Sequence, residues 1–347
     1  MFSLPDVAAA AAGRLAAAHY DFFAGGADDE RTLRANTDAF DRYRLRPRVL
    51  RGVGERDLTV TVLGQSLSMP VLIAPTAFHR LAHPDGEVGT ARAAAAAGTV
   101  LVLSMAATQP VEQVAATGVR FWFQLYVQPD RAFTERLVRR VAAAGCGALV
   151  VTVDSPVFGR RRRDLRNGFL DLPAGLACEN LRDPAGSGPP RAIGWEPGLN
   201  WDVLDWLRGI TSLPIVLKGI LHPADAVRAA ERGVDAIIVS NHGGRQLDAA
   251  VTGIDALPAV VDAVGDRLPV LVDGGIRRGT DVLTALALGA SAVAVGRPVL
   301  WGLAVAGADG VRQVLELLRD ELDRAMALCG ADRVAALGPD LVETVGR

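Results

Sequence analysis

Residues 235–248 read Asp235-Ala236-Ile237-Ile238-Val239-Ser240-Asn241-His242-Gly243-Gly244-Arg245-Gln246-Leu247-Asp248. The short β-branched run predicts a buried strand, and it stops abruptly on a polar, glycine-bearing turn. Two glycines after His242 let the backbone bend sharply and approach a ligand, while an imidazole and a guanidinium stand three residues apart. The pattern points to a proton acceptor beside an anion clamp at the carboxyl end of a strand.

Outward from this turn, similar apolar runs recur at 70–74, 99–103, 121–125, 148–153, 214–217, 269–272 and 291–295, which with 235–239 makes eight strand candidates. Alanine- and arginine-rich stretches of helical period, such as 85–97, 130–144, 223–232 and 280–288, separate most of them. Alternating β and α elements predict right-handed βα units on a parallel sheet, and eight of them predict a closed (β/α)8 TIM barrel of the α/β class. A doubly wound open sheet is the structural alternative. The expected organisation is a single domain over 1–347: an N-terminal helical and hairpin extension (1–65), the barrel (66–330), and a lid over its mouth (155–200) in the one long irregular interval.

Barrel enzymes build their sites at the carboxyl ends of the strands. Polar groups gather there in this chain: Pro75-Thr76-Ala77, Ser104, Gln124 and Tyr126, Thr152-Val153-Asp154, Lys218, His242 with Arg245, Asp273-Gly274-Gly275-Ile276-Arg277, and Gly296-Arg297. The last two turns resemble a phosphate cradle, with glycine amides and a helix amino terminus beside arginines. Neither matches G-x-G-x-x-G and no G-x-x-x-x-G-K-[ST] occurs, which disfavours a Rossmann or nucleotide-hydrolysing site.

Composition narrows the partners. The formal net charge of -2 lacks the basic surplus of a nucleic-acid binder, so a small-molecule partner is expected and no nucleic acid. Three cysteines without paired spacing fit a reducing, cytoplasmic setting. The alanine-rich stretch 8–18 has Asp6 before it and Arg14 within it, which reads as an amphipathic first helix rather than a signal peptide, and no apolar run is long enough for a membrane span. Of 37 basic residues 36 are arginine, which singles out Lys218 as a position needing a compact ammonium. Four consecutive arginines, Arg160 to Arg163, read mainly as a solvated face, with one reaching the site. Asp273 also suits a helix cap. His79 and His83 have the spacing of helical zinc ligands, yet no glutamate follows His79 and Pro84 follows His83, so no metal site is expected.

From Tyr20 onward the chain resembles the FMN-dependent 2-hydroxy acid oxidase and dehydrogenase family, which includes glycolate oxidase, lactate oxidase and mandelate dehydrogenase. The resemblance rests on Ser240 to Asp248, on Asp273-Gly274-Gly275-Ile276-Arg277-Arg278-Gly279-Thr280-Asp281-Val282, on Gln124-Leu125-Tyr126, on Thr152-Val153-Asp154 and on Leu217-Lys218-Gly219. It implies FMN as cofactor and an (S)-2-hydroxy acid as substrate, with O2 as electron acceptor and H2O2 as product, in a homotetramer. By the same resemblance His242 takes the substrate hydroxyl proton while the α-hydrogen leaves toward flavin N5 as hydride, and Asp154 stabilises the imidazolium. Arg245 and Arg161 hold the substrate carboxylate, Tyr126 and Tyr20 add hydrogen bonds, and Lys218 faces the flavin where reduction accumulates charge. Ala74, Pro75, Thr76, Ala77, Ser104, Gln124 and Thr152 line the ring, and Ser240, Asp273, Gly274, Gly275, Arg277, Gly296 and Arg297 take the ribityl phosphate.

Ala106 stands where short-chain glycolate oxidases carry a tryptophan, which implies room for an aromatic or medium-sized side chain. The stretches 77–84 and 163–169 are similar to those of mandelate and 4-hydroxymandelate oxidases. Lactate stays open, as do a dehydrogenase with a quinone or protein acceptor, an FMN barrel isomerase of the type 2 isopentenyl diphosphate class, and a catalytically silent flavin binder.

Overall fold

The computed structural model describes residues 2–183 and 188–345. Eight parallel strands, β1 (Val71–Ile73), β2 (Val100–Ser104), β3 (Arg120–Leu125), β4 (Leu149–Thr152), β5 (Ile215–Ile220), β6 (Ala236–Val239), β7 (Val270–Asp273) and β8 (Ala292–Val295), pair in sequence order, and β8 pairs with β1 to close the barrel. All eight expected strands form, and the open-sheet alternative falls. A helix follows each strand on the outside, from Gly86–Ala96 after β1 to the long Arg297–Cys329 after β8. The last is two helices joined at a kink with non-helical Ala306 and Gly307.

Period-two alternation sorts the strand residues into two cores. Leu72, Val102, Trp122, Val150, Val216, Ile238, Leu271 and Ala292 point inward and form one cluster. Their neighbours, such as Ile73, Leu103, Phe123, Val151, Leu217, Val239, Val272 and Val293, point outward under the helices and form the other. Continuing the inward phase to the carboxyl ends lands on Ala74, Ser104, Gln124, Thr152, Lys218, Ser240, Asp273 and Gly296. A one-residue slip in any strand would replace such a group with an aliphatic one.

The other barrel end is plugged by a hairpin, Val60–Val62 paired with Gln65–Leu67, whose Val62 and Leu67 join the inner cluster. Gln65 Oε1 accepts from the indole N–H of Trp122 at 3.3 Å. The N-terminal helices Leu4–Ala12, Ala17–Ala24 and Arg31–Asp38 precede the hairpin. Ser3 caps the first, whose Leu4, Val7 and Ala11 are buried. Strand Tyr43–Leu45 pairs antiparallel with Val342–Thr344 near the chain end. Among the described residues no helix is long and apolar enough to cross a membrane.

Trp122 is fully buried at the centre of the inner cluster. Trp122→Ala is expected to destabilise the fold by about 3–5 kcal/mol through lost transfer energy and the cavity left behind. Chemical denaturation with the midpoint followed by far-UV dichroism checks this, and a loss under about 1 kcal/mol would contradict the packing role.

Candidate active site

A cavity of about 600 Å³ opens at the carboxyl end of the barrel. Of the expected site residues, Ala74, Pro75, Thr76, Ala77, Ser104, Ala106, Gln124, Tyr126, Thr152, Arg161, Lys218, His242, Arg245, Asp273, Gly274, Gly275, Arg277, Gly296 and Arg297 line it. Gln124 accepts from the Ser104 hydroxyl at 3.2 Å and donates to Thr152 Oγ1 at 3.1 Å, so three adjacent strands present one satisfied polar ladder.

A second chain of contacts crosses β4 to β7. His242 Nδ1 meets Asp154 Oδ1 at 2.9 Å, the His242 amide donates to Ser240 Oγ at 3.0 Å, Lys218 Nζ donates to the same hydroxyl at 2.9 Å, and Asp273 Oδ2 lies 3.2 Å from Lys218 Nζ. His242 has a left-handed backbone with φ 60, a strained state for a side-chain-bearing residue that these partners hold in place. Gly219 is what lets Asp154 come near. It sits in the register shift between Lys218 and Ile220 with φ 111, and a Cβ there would lie 2.6 Å from Asp154 Cβ.

Electrostatics follow from burial. Burial lowers the His242 pKa, as do the Lys218 and Arg161 charges, and Asp154 only partly opposes them, so the resting imidazole is neutral at neutral pH. Burial also works against ionising Asp154, but His242 and Lys218 outweigh it and its pKa falls below the usual carboxylate value. Asp154 therefore holds the Nδ1 proton and leaves Nε2 as the basic nitrogen, 3.4 Å from the Tyr126 hydroxyl. Burial, with Asp154 nearby, raises the Tyr126 pKa and keeps it a phenol.

Several residues differ from expectation. Tyr20 does not line the cavity and stacks on Trp301 at 5.3 Å, whereas Phe22, two residues on, faces the cavity. The doublet Phe22-Phe23, both of which line the cavity, is the available signal, but which rings face inward depends on how helix Ala17–Ala24 docks. Ser240 is fully buried and joins Lys218 to the His242 amide. Asp273 pairs with Lys218, and Asp281 instead accepts the Arg277 and Arg278 amides that open the next helix. Arg297 donates through all three guanidinium nitrogens to the carbonyls of Phe23, Gly243 and Gly25, so it offers an anion its charge while its donors brace the N-terminal segment.

In the arginine cluster Arg161 reaches the cavity and Arg160 is exposed, while Arg162 pairs with Asp28 and Asp29, and Arg163 with Asp21 and Glu30, tying the short helix Arg162–Arg166 to the N-terminal extension. Asp248, in the turn after β6, accepts from the Thr32 and Asp29 amides at the start of helix Arg31–Asp38. Sequence reasoning also missed Phe158, Asp164, Phe169 and Trp195, which line the cavity from the lid. Residues 184–187 of the expected lid lie outside the described residues. His79 bonds Thr76 and Thr90 through its two ring nitrogens.

The cavity is built for anions. Four buried guanidiniums, of Arg161, Arg245, Arg277 and Arg297, share it with Lys218. Burial, with the Arg277 and Arg161 charges adding to it, pushes the Arg297 pKa down to about 9, and burial drives that of Arg245 well below its usual value. Arg161 Nε has no partner within the protein. Guanidiniums keep their charge at neutral pH, so such crowding signals a site completed by bound anions. Arg277, the Gly274-Gly275 turn and the amino terminus of the helix at Arg297 together present the kind of donors that would suit one such anion. A Cβ at Gly275 would lie 1.8 Å from the Asn36 carbonyl, so the N-terminal extension packs directly on this turn. A phosphate-bearing flavin with polar ring edges fits these residues, as does a separate carboxylate near Arg161 and Arg245.

Comparison with known proteins agrees. Residues 11–344 match the model of the FMN-dependent dehydrogenase family. The chain is 52% identical over 331 residues to an L-lactate oxidase of Nostoc sp., covering 91% of this chain and 90% of that one. It is 50% identical over 330 residues to glycolate oxidase 1 of Zea mays, covering 92% and 89%. Among solved structures, mandelate oxidase with 3,3-difluoro-2-hydroxy-3-phenylpropionic acid superposes with a TM-score of 0.93 at 45% identity over 100% of both chains. The chain belongs to the FMN-dependent dehydrogenase family. It is an FMN-dependent oxidoreductase of the 2-hydroxyacid oxidase type.

Lys218 is buried with its ammonium against Ser240 Oγ and Asp273, a point contact that a planar guanidinium fork does not reproduce. Lys218→Arg is expected to purify with under about a tenth of the wild-type FMN content, since a longer, forked side chain loses the Ser240 and Asp273 contacts and projects into the cavity. Flavin absorbance relative to protein measures this, and full FMN content with wild-type reduction rates would show that the lone lysine is incidental.

Proposed function

We propose that this enzyme oxidises an (S)-2-hydroxy acid with an aromatic or medium-sized side chain, such as mandelate, to the 2-oxo acid. The observation that carries the reading is a neutral, carboxylate-oriented His242 beside two buried guanidiniums under an apolar lid. Arg245 and Arg161 bind the substrate carboxylate and thereby fix which face of the α-carbon is presented. His242 Nε2 accepts the hydroxyl proton, and Asp154 stabilises the imidazolium that results. Tyr126 Oη, close to Nε2, orients the substrate oxygen. When bound, FMN supplies a two-electron acceptor that O2 returns to its oxidised form, with hydrogen peroxide as by-product. Lys218, with Ser104, Gln124 and Thr152, holds its ring, and Arg277, Gly275 and Gly296 hold its phosphate.

The substrate side chain follows from the remaining wall. Ala106 is small and buried, and Phe22, Phe158, Phe169, Leu170 and Trp195 surround the space beside it. Those rings favour an apolar, aromatic group over the single hydrogen of glycolate. Solved mandelate oxidases and the L-lactate oxidase relative support both ends of this size range. We further propose a cytoplasmic homotetramer, since the neighbouring Val49, Leu50 and Leu328 expose apolar surface that partner copies would cover.

Anaerobic mixing with (S)-mandelate, (S)-lactate and glycolate tests the reading: mandelate is expected to bleach the flavin band fastest and glycolate slowest, and air to restore it with release of peroxide. Failure of all three acids to bleach bound flavin would sink the substrate class, and failure of air to restore the band would favour another acceptor. The base must be neutral, so kcat/KM is expected to be flat at neutral pH and to fall only as pH drops through a value below the ordinary imidazole pKa of about 6.5. Asp154→Asn removes an influence that raises that pKa. It is expected to move the acid limb lower and to reduce kcat by about 100-fold or more. An acid limb that stays put would contradict the assigned pair.

A further inference from the structure

One buried polar cluster outside the proton-transfer pair joins the two loops that carry the ring-facing and substrate-facing walls. Glu87 is 1% exposed. Its Oε1 accepts from the His79 amide at 3.0 Å and the Thr108 amide at 2.8 Å, and its Oε2 from the Thr108 hydroxyl at 2.8 Å. The Arg80 amide donates to Thr108 Oγ1 at 3.2 Å, and the Phe78 amide to the Ala106 carbonyl at 3.2 Å. Segment 75–80 after β1 is thus fastened to segment 104–108 after β2 through one carboxyl group.

His79 locks the same turn from within. Burial lowers its pKa and keeps the ring neutral. Thr90 Oγ1 donates to the Gly86 carbonyl, so it accepts from His79 Nδ1–H at 2.9 Å, and the bare Nε2 accepts from the Thr76 hydroxyl at 2.7 Å. Between Thr76 and His79 lies Phe78, whose backbone is left-handed with φ 63, a costly state for a bulky residue that persists only when its surroundings over-determine it.

The strained residue carries a ring that matters. Phe78 stacks on Phe22 with centroids 5.3 Å apart, and Phe22 lies under both guanidiniums, with Arg245 Cζ at 5.1 Å and Arg161 Cζ at 5.7 Å from its ring centre. An aromatic face steadies two like charges that would otherwise repel each other in a buried site. We propose that Glu87 and His79 are positioning residues that hold Phe78 against Phe22 and through this pair set the guanidiniums that clamp the substrate carboxylate. The inference rests on the reading that Arg161 and Arg245 bind that carboxylate.

The test uses FMN-loaded wild type, His79→Leu, His79→Gln and Thr108→Val. Benzoylformate, a 2-oxo acid with no α-hydrogen to give, is titrated against the flavin absorbance for Kd, and KM and kcat are measured for (S)-mandelate and (S)-lactate. In His79→Leu, Kd and both KM values are expected to rise about tenfold, with kcat within about threefold and FMN content unchanged. His79→Gln, which can accept from Thr76 and donate to Thr90, is expected to return Kd to within about threefold of wild type. An unchanged Kd in His79→Leu, or a fall in kcat at constant KM, overturns the clamp while leaving the oxidase reading intact. Should His79→Leu not fold, Thr108→Val weakens the clamp from its other end by removing the hydroxyl contacts with Glu87 and the Arg80 amide, with a rise in Kd of about threefold expected and an unchanged Kd overturning the proposal. A wild type whose flavin band responds to no 2-oxo or 2-hydroxy acid overturns the carboxylate reading itself, and the clamp with it.

Discussion

Buried charge is the constraint on which the rest of this structure turns. Asp154, His242, Ser240, Lys218 and Asp273 form one connected chain across four adjacent strands. Each member would be costly if buried alone, and each is acceptable because the next one answers it. The barrel supplies what such a chain needs, namely strand ends in fixed register. The bulge at Gly219 then lets two of those ends approach more closely than regular pairing would allow.

The excess of cations over carboxylates in the same cavity has a different meaning. Lys218 is paired with Asp273 within the protein, whereas among the described residues the guanidiniums have only the Arg161–Asp164 carboxylate contact at 3.8 Å between them, and burial, with the neighbouring arginine charges adding to it, lowers the Arg245 and Arg297 pKa values. A fold does not gather four such groups for stability alone, because a hydrophobic wall would serve better. Their arrangement makes sense as the protein half of a site whose other half is a phosphate and a carboxylate. The N-terminal extension and the lid belong to that site as much as the barrel does. Arg245 and Arg297 brace the segment 22–25, and Arg162 and Arg163 tie the lid to residues 21–30.

Much of the site was legible without coordinates because a parallel barrel converts sequence phase into position. Once β2 was read as 99–103 and β5 as 214–217, Ser104 and Lys218 had to reach one end of the barrel. Whether a particular group faces the cavity was less legible. The family resemblance points to Tyr20, yet its ring packs on Trp301, and Phe22 and Phe23 of that helix line the cavity instead. Ser240 continues the inward phase of β6 but is covered by the residues it joins. The Tyr20 difference arises from docking between segments far apart in sequence, which no local pattern encodes.

The chain's own pattern of apolar runs, helical spacers and polar strand ends determined the barrel, the end that carries the chemistry, and the histidine, aspartate, lysine and arginines that gather there. Each of those follows from period and phase, which are local properties. Tertiary structure decided the roles that depend on contact: Asp273 as the partner of Lys218, Asp281 as the helix cap, Arg297 as a brace, the arginine cluster as an anchor, and Glu87 as the link between two loops. Apart from the helix cap, these pairings join residues from 8 to 274 positions apart. Only the closed barrel, with its extension and lid folded against it, brings such partners within hydrogen-bonding distance.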